Sequence, residues 1–155
     1  PVSPNATASY NEDGLEVNVT YSQPSKKGRL IFGEEADGAL QPYGKYWRLG
    51  ANASTDITFN KDVTFGGKSV QAGTYRMYTI PGQQTFKVIL NDDAGTFFGA
   101  VEPDHALDIA SVDAPVTNPP AEVETFVITF STTDAGVDIV FTWDQTQFSV
   151  PIVAQ

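Results

Sequence analysis

Apolar residues in this chain recur at every second position over short runs, and turn pairs cut the runs at short intervals. Leu15, Val17, Val19 and Tyr21 alternate with Glu16, Asn18 and Thr20. Ile57 and Phe59 alternate with Asp56 and Thr58, and Phe86, Val88 and Leu90 share a face within Gln84–Asn91. Val137, Ile139, Phe141 and Trp143 line one run, and Phe148, Val150 and Ile152 line the last. Side chains alternate across a strand, so this period describes half-buried β-structure. Between residues 123 and 130 both faces are partly apolar, because Phe126, Ile128 and Phe130 interleave with Val123 and Val127. Asp13-Gly14, Gly66-Gly67, Ala72-Gly73, Pro81-Gly82, Asp92–Gly95 and Asp134–Gly136 supply the turns. Nowhere do apolar residues keep helical spacing for long without a breaker. Residues 104–112 are the one short candidate for helix, with strand equally open. The pattern predicts an all-β fold: a two-sheet antiparallel β-sandwich of about ten strands, with a jelly roll among the arrangements that fit.

With 155 residues the chain fits one domain, spanning 1–155. A chain of this size buries about 70% of its extended-chain surface, enough for a core without staples. It has no cysteine, which excludes disulfides, thiolate metal sites and a cysteine nucleophile. No apolar run is long enough for a membrane-spanning helix, and no signal peptide is visible. The chain opens on Pro1 instead of methionine, which reads as a trimmed or mature form. Residues 33–46 and 99–120 read as long irregular loops, and Pro115, Pro119 and Pro120 bar the end of the second from a central strand.

The net charge is −10, unevenly spread. All nine basic residues lie in 1–87, with eight acids; 88–155 holds eleven acids and no basic residue. This acidic half reads either as a solvated face or as a surface for a cation or a protein partner. Nucleic-acid binding is not expected, because phosphate contact needs surplus Lys and Arg. Five of the nine basic residues fall between Tyr21 and Asn52: Lys26, Lys27, Arg29, Lys45 and Arg48. Phe32, Tyr43, Tyr46 and Trp47 lie among them. Cations beside flat apolar rings suit a polar or anionic ligand, and this window is the candidate site.

The same window carries a resemblance. Tyr21-Ser22-x-Pro24-Ser25-Lys26-Lys27-Gly28-Arg29, then Ile31-Phe32-Gly33, then Pro42-Tyr43-Gly44-Lys45-x-Trp47-Arg48-x-Gly50-Ala51-Asn52, resemble the signature of a bacterial family common in Bacteroidetes, the domain of unknown function 2911. Asp62-Val63, Gly67, Ala72-Gly73-x-Tyr75 and Ile80-Pro81 continue it in order, as do Ser3-Pro4 and Ala8-Ser9-Tyr10 upstream. The likeness is strong over 3–91 and looser beyond. Gln23 replaces a usual basic residue, and the region 105–111 lacks a basic residue that often follows an acid there. The resemblance implies an all-β fold and an exported protein, periplasmic or attached to the cell envelope. It implies no activity.

Each candidate has a functional and a structural reading. Arg48 and Asn52 lie four apart and share a face if the strand is continuous, with Gly50 between them. A guanidinium and a carboxamide so placed grip a carboxylate, a phosphate or sugar hydroxyls. Structurally, Arg48 pairs with an acid such as Asp56 and fixes two loops. Lys26, Arg29 and Lys45 form either a positive rim or a solvated turn. The run Pro42-Tyr43-Gly44-Lys45-Tyr46-Trp47 forms either a stacking wall for a sugar ring, through Tyr43 or Trp47, or the closure of the sandwich end, and Tyr21, which opens the window, counts with the ligand-binding set. Calcium is open at Asn91-Asp92-Asp93 and at Asn11–Gly14, although both are explained as turns. His105, the one histidine, reads as a surface residue, and no Gly-x-Ser-x-Gly elbow or phosphate loop occurs. No metal site and no cofactor are expected, and no catalytic set stands out among nineteen acids. The expected function is a noncatalytic exported domain that binds a small polar or anionic ligand or a glycan around Arg48 and Asn52. The alternatives are a hydrolase acting on envelope material and a structural or docking module.

Overall fold

A computed structural model describes residues 3–96 and 98–155, so Pro1 lies outside the described residues. The strands are β1 (Asn5–Glu12), β2 (Leu15–Ser22), β3 (Phe32–Gly33), β4 (Gln41–Pro42), β5 (Thr55–Phe59), β6 (Val63–Phe65), β7 (Lys68–Val70), β8 (Gly73–Ile80), β9 (Thr85–Asn91), β10 (Asp108–Pro115), β11 (Val123–Thr132), β12 (Val137–Asp144) and β13 (Thr146–Ala154). Single 3-10 turns occur at Glu35–Asp37 and His105–Leu107. One sheet has the order β1-β2-β5-β8-β9-β10 and the other β11-β12-β13-β6-β7. Both are antiparallel; β3 and β4 form a short parallel pair apart from them. The two sheets face each other unclosed, as a β-sandwich.

The alternation in the sequence decides which side chains meet. Val17, Val19, Ile57, Phe59, Met77, Val88 and Leu90 point inward from the first sheet. They meet Phe65, Phe126, Ile128, Ile139, Phe141, Phe148 and Val150 from the second in one buried cluster. Aromatic stacking concentrates at one end of it. Phe86 stacks on Phe148 with centroids 4.3 Å apart, and Trp47 stacks on Trp143 at 5.8 Å.

Two expectations change, and Pro115 stays out of a central strand as expected. Residues 104–112 become a 3-10 turn followed by strand, so the second long loop is interrupted by β10. Pro115 ends β10 at the sheet edge, where its missing N–H costs no ladder bond. The segment 48–54 is not a continuous strand: Leu49 and Asn52 have φ values of 58° and 59°, which reverse the chain twice. Thr55 Oγ1 holds the turn by donating to the Leu49 carbonyl at 2.7 Å, and Gly50 packs where a Cβ would meet that hydroxyl at 2.9 Å.

Candidate functional site

The fold distributes the cationic window over several places. Residues 23–27 cross from the first sheet to β11. Lys26 N donates to the Glu124 carbonyl at 2.8 Å, Phe126 N to the Pro24 carbonyl at 2.9 Å, and Ser25 bridges Thr125. This strip lies beside the gap in the β11–β12 register between Val123 and Val127. Lys26 Nζ is bound by Asp144 at 2.8 Å and by Glu122. Those two carboxylates, Asp144 foremost, hold the Lys26 ammonium well above the usual lysine range. The guanidinium of Arg29 donates to the carbonyls of Ser25 and Lys26 at 2.7 and 3.0 Å. Lys26 is therefore tied to the second sheet and Arg29 braces its own loop, and neither stands as a free positive rim.

Tyr21 and Trp47 also differ from a ligand-facing wall. Both are buried, at 5% and 2% exposure, because each occupies an inward position of the sandwich. The Tyr21 hydroxyl oxygen accepts from Ile128 N at 3.0 Å and from Gln23 Nε2 at 3.2 Å. Tyr43 is half-buried beside a cleft at the sandwich end, and Lys45 is exposed. Asn52 turns its carboxamide to the Ser3 carbonyl, 3.2 Å away, while its own carbonyl accepts from Arg48 Nη1 at 3.3 Å and from Gly99 N at 2.7 Å. Arg48 and Asn52 are thus brought together through a backbone oxygen.

Arg48 is placed by its neighbour. Trp47 makes an antiparallel bridge to Thr79, with reciprocal backbone bonds of 2.9 and 3.0 Å, in the lane that β5 vacates beyond Thr55. With Trp47 pointing inward, alternation sends Tyr46 and Arg48 to the outer face of the first sheet. The same alternation in β8 sends Met77 and Thr79 inward and Arg76 and Tyr78 outward. Tyr46 meets Tyr78 there, with centroids 5.3 Å apart. Gln41, Tyr46, Trp47, Arg48 and Ala100 line an open cavity of about 160 Å³.

Beneath this cavity lies a buried arginine that the sequence reading passed over. Arg76 is 1% exposed and stands directly across the ladder from Asp56. Asp56 thus faces Arg76, not Arg48. Arg76 Nη2 donates to the Tyr46 hydroxyl at 2.7 Å and to the carbonyls of Gly99 and Val101, and Nη1 reaches Thr96 Oγ1 at 3.3 Å. Asp93 lies 3.8 Å from Nη1. The Tyr46 hydroxyl in turn donates to the Gly99 carbonyl. Burial pushes that hydroxyl above its usual range, while the Arg76 hydrogen bond and the Arg76 and Arg48 charges pull the other way. Asp56 is raised by burial, against hydrogen bonds from Ser54 Oγ at 2.9 Å and Gly95 N at 2.9 Å. Arg76 Nε and Trp47 Nε1 are the buried side-chain donors without a partner among the described residues.

A second cluster adjoins it. The Tyr78 hydroxyl donates to Asp108, 2.8–2.9 Å from both carboxylate oxygens, and Asn91 Nδ2 donates to the same carboxylate at 2.8 Å. His105 Nδ1 lies 2.9 Å from the Tyr78 oxygen, and Nε2 lies 3.1 Å from Glu102. Because the Tyr78 proton goes to Asp108, its oxygen accepts from Nδ1–H, and Glu102 calls for Nε2–H as well. The pair of contacts suits an imidazolium, and Glu102 and then Asp108 raise the His105 pKa. The Asn91 side chain is spent on this network and on a turn in which Asp93 N donates to its Oδ1 at 2.9 Å. The signal that would have found Arg76 and Tyr78 is the stretch Tyr75–Tyr78, apolar or aromatic on both faces of one strand with an arginine at its centre.

A model of the family described as protein of unknown function (DUF2911) matches residues 3–152. No curated protein and no solved structure matches the chain.

Proposed function

The chain belongs to the DUF2911 family of proteins of unknown function, and on that premise we propose that it is a noncatalytic binding domain that takes a small anionic group at Arg48. The observation that carries this is the Arg48 guanidinium. It has five N–H donors, yet makes a single 3.3 Å bond to Asn52 among the described residues, beside a cavity of about 160 Å³. That space holds about five waters, enough for a carboxylate or phosphate terminus. Such a terminus would take a forked pair of bonds from Arg48, with the Gln41 carboxamide beside it. Arg76, fixed below through Tyr46, adds positive potential without entering the cavity. Lys45 is left as a solvated cation nearby in sequence. An exported location agrees with the family resemblance, and no helix among the described residues is long and apolar enough to cross a membrane.

The hydrolase reading would need an acid of raised pKa in the Arg48 cavity. The carboxylate raised by burial is Asp56, whose oxygens are taken by Ser54 and Gly95 and which does not line that cavity. The docking-module reading would need a sealed and fully paired Arg48, and Arg48 is only half-buried.

Thermal unfolding against phosphate, citrate and glucuronate tests the proposal. A ligand at 100 times its Kd adds about 2.7 kcal/mol, which moves Tm by roughly 5–10 °C at this size. The shift should vanish in a folded Arg48→Ala variant. A shift that persists in that variant, or no shift with any anion, contradicts it.

A further inference from the structure

We infer that the chain carries a second site, separate from Arg48, for a neutral sugar ring in the cleft at the end of the sandwich. The cleft has a volume of about 480 Å³ and lies between the turns that follow β4, β8, β10 and β12. That size is ordinary for small-molecule pockets.

Charge argues against an anion here. The one cation in the cleft, Lys26, is committed to Asp144 in the cleft wall and to Glu122 outside it. A ligand carboxylate would have to displace one of them. The remaining polar residues are neutral, the hydroxyl-bearing Tyr43 and Thr146 and four carboxamides. Gln83, Gln84 and Gln145 line the cleft, and their side chains make no hydrogen bond among the described residues. Asn118 Nδ2 donates to the Gln145 carbonyl at 2.9 Å, which leaves its Oδ1 for a ligand. A carboxamide both donates and accepts, as a sugar hydroxyl does, so the set matches an uncharged polyol better than an anion.

The cleft also offers an apolar surface. Tyr43 is half-buried against it, and its hydroxyl has no partner among the described residues. Phe32 and Val116 complete the apolar part of the wall. A pyranose has an apolar C–H face and a rim of hydroxyls, and an aromatic body with a polar tip suits both. Phe32 is immobilised by edge contacts to Trp47, Phe86 and Trp143 at 5.2–5.8 Å.

The wall is preformed, so little ordering is needed on binding. Gly44 N donates to the Pro81 carbonyl at 2.8 Å, Tyr43 N to the Gly33 carbonyl at 2.9 Å, and Val116 N to the Gln84 carbonyl at 2.9 Å. Thr117 and Gln147 exchange both backbone bonds, at 2.7 and 2.9 Å. Four separate turns are tied to one another around the opening.

The test is a nitrogen–proton NMR titration of the intact chain with glucose, N-acetylglucosamine, cellobiose and N,N′-diacetylchitobiose. Saturable shifts are expected in the side-chain amides of Gln83, Gln84 and Gln145 and in the Tyr43 backbone. Binding should weaken about tenfold in Tyr43→Ala, a loss in keeping with removal of one aromatic contact, and should weaken in Gln84→Ala. Arg48→Ala should leave it unchanged, which separates this site from the anion cavity. Tighter binding of the disaccharides than of the monosaccharides identifies a glycan chain as the source of the ring; equal binding identifies a free sugar. Shifts that survive both variants, shifts that map to Arg48, or no shift with any of the four sugars would overturn the inference.

Discussion

Arg76 shows how much one residue in an outward position can determine. Its side chain is buried, and its two terminal nitrogens are taken by Tyr46, Thr96 and two backbone carbonyls of the 98–104 segment, with Nε left without a partner among the described residues. Removing a buried charge and stranding its partners costs about 3 kcal/mol or more. Arg76→Met should lower unfolding stability by that order in urea, whereas Arg48→Met, at a half-buried position, should change it by about 0.5 kcal/mol or less. Equal effects would place Arg48 in the structural framework. His105 makes a different prediction. Glu102 foremost, and then Asp108, raise its folded pKa, with the Tyr78 oxygen facing Nδ1. The contribution to stability is therefore fully present below the unfolded value of about 6.5 and is lost as pH rises through the folded pKa. An NMR titration of the His105 ring should give a midpoint above 6.5, and His105→Gln should remove that part of the stability profile. A midpoint at or below 6.5 contradicts the imidazolium assignment.

At the scale of elements, the outer face of the first sheet is built by one loop lying on another. Gly99 N donates to the Asn52 carbonyl at 2.7 Å and Ser54 N to the Thr96 carbonyl at 2.9 Å. A Cβ on Gly99 would come within 2.8 Å of the Ala53 backbone, which cannot retreat because the 49–54 turn is fixed by Thr55. Gly99→Ala should therefore lift the 98–104 segment, cost about 1–3 kcal/mol as overpacking does, and speed amide exchange at Ser54 and Gly99. Unchanged exchange there would mean the two loops are not coupled. The strands were legible because alternation reports directly on burial: Val17, Ile57, Val88, Ile139 and Val150 all point where the pattern places them. The loops were less so. Lys26 and Arg29 look like a free cationic rim until the chain folds, because their partners Asp144, Glu122 and the Ser25 carbonyl lie at other positions or in the backbone. Trp47 looked like a platform because no local signal distinguishes a bridge to Thr79 from an exposed loop. Tyr43, by contrast, does border an open cleft.

Across the whole molecule, the charge division in the sequence does not become two faces. The acidic stretch 88–155 supplies most of β9 and all of β10 to the first sheet and β11–β13 to the second, where they sit beside β6 and β7 from the first half. The net charge of −10 is thereby spread over both sheets, and an anion can be held only where cations escape local pairing. Lys26 and Arg76 do not escape it, whereas the Arg48 guanidinium meets one backbone oxygen and a cavity. The central claim is that this guanidinium receives an anionic group. The chain has three arginines, Arg29, Arg48 and Arg76, so their side-chain Nε–Hε resonances can be followed separately. Titration with phosphate, citrate or glucuronate should move the Arg48 resonance saturably and leave the Arg29 and Arg76 resonances nearly still. An Arg48 resonance that stays in place with each of these anions would contradict the account.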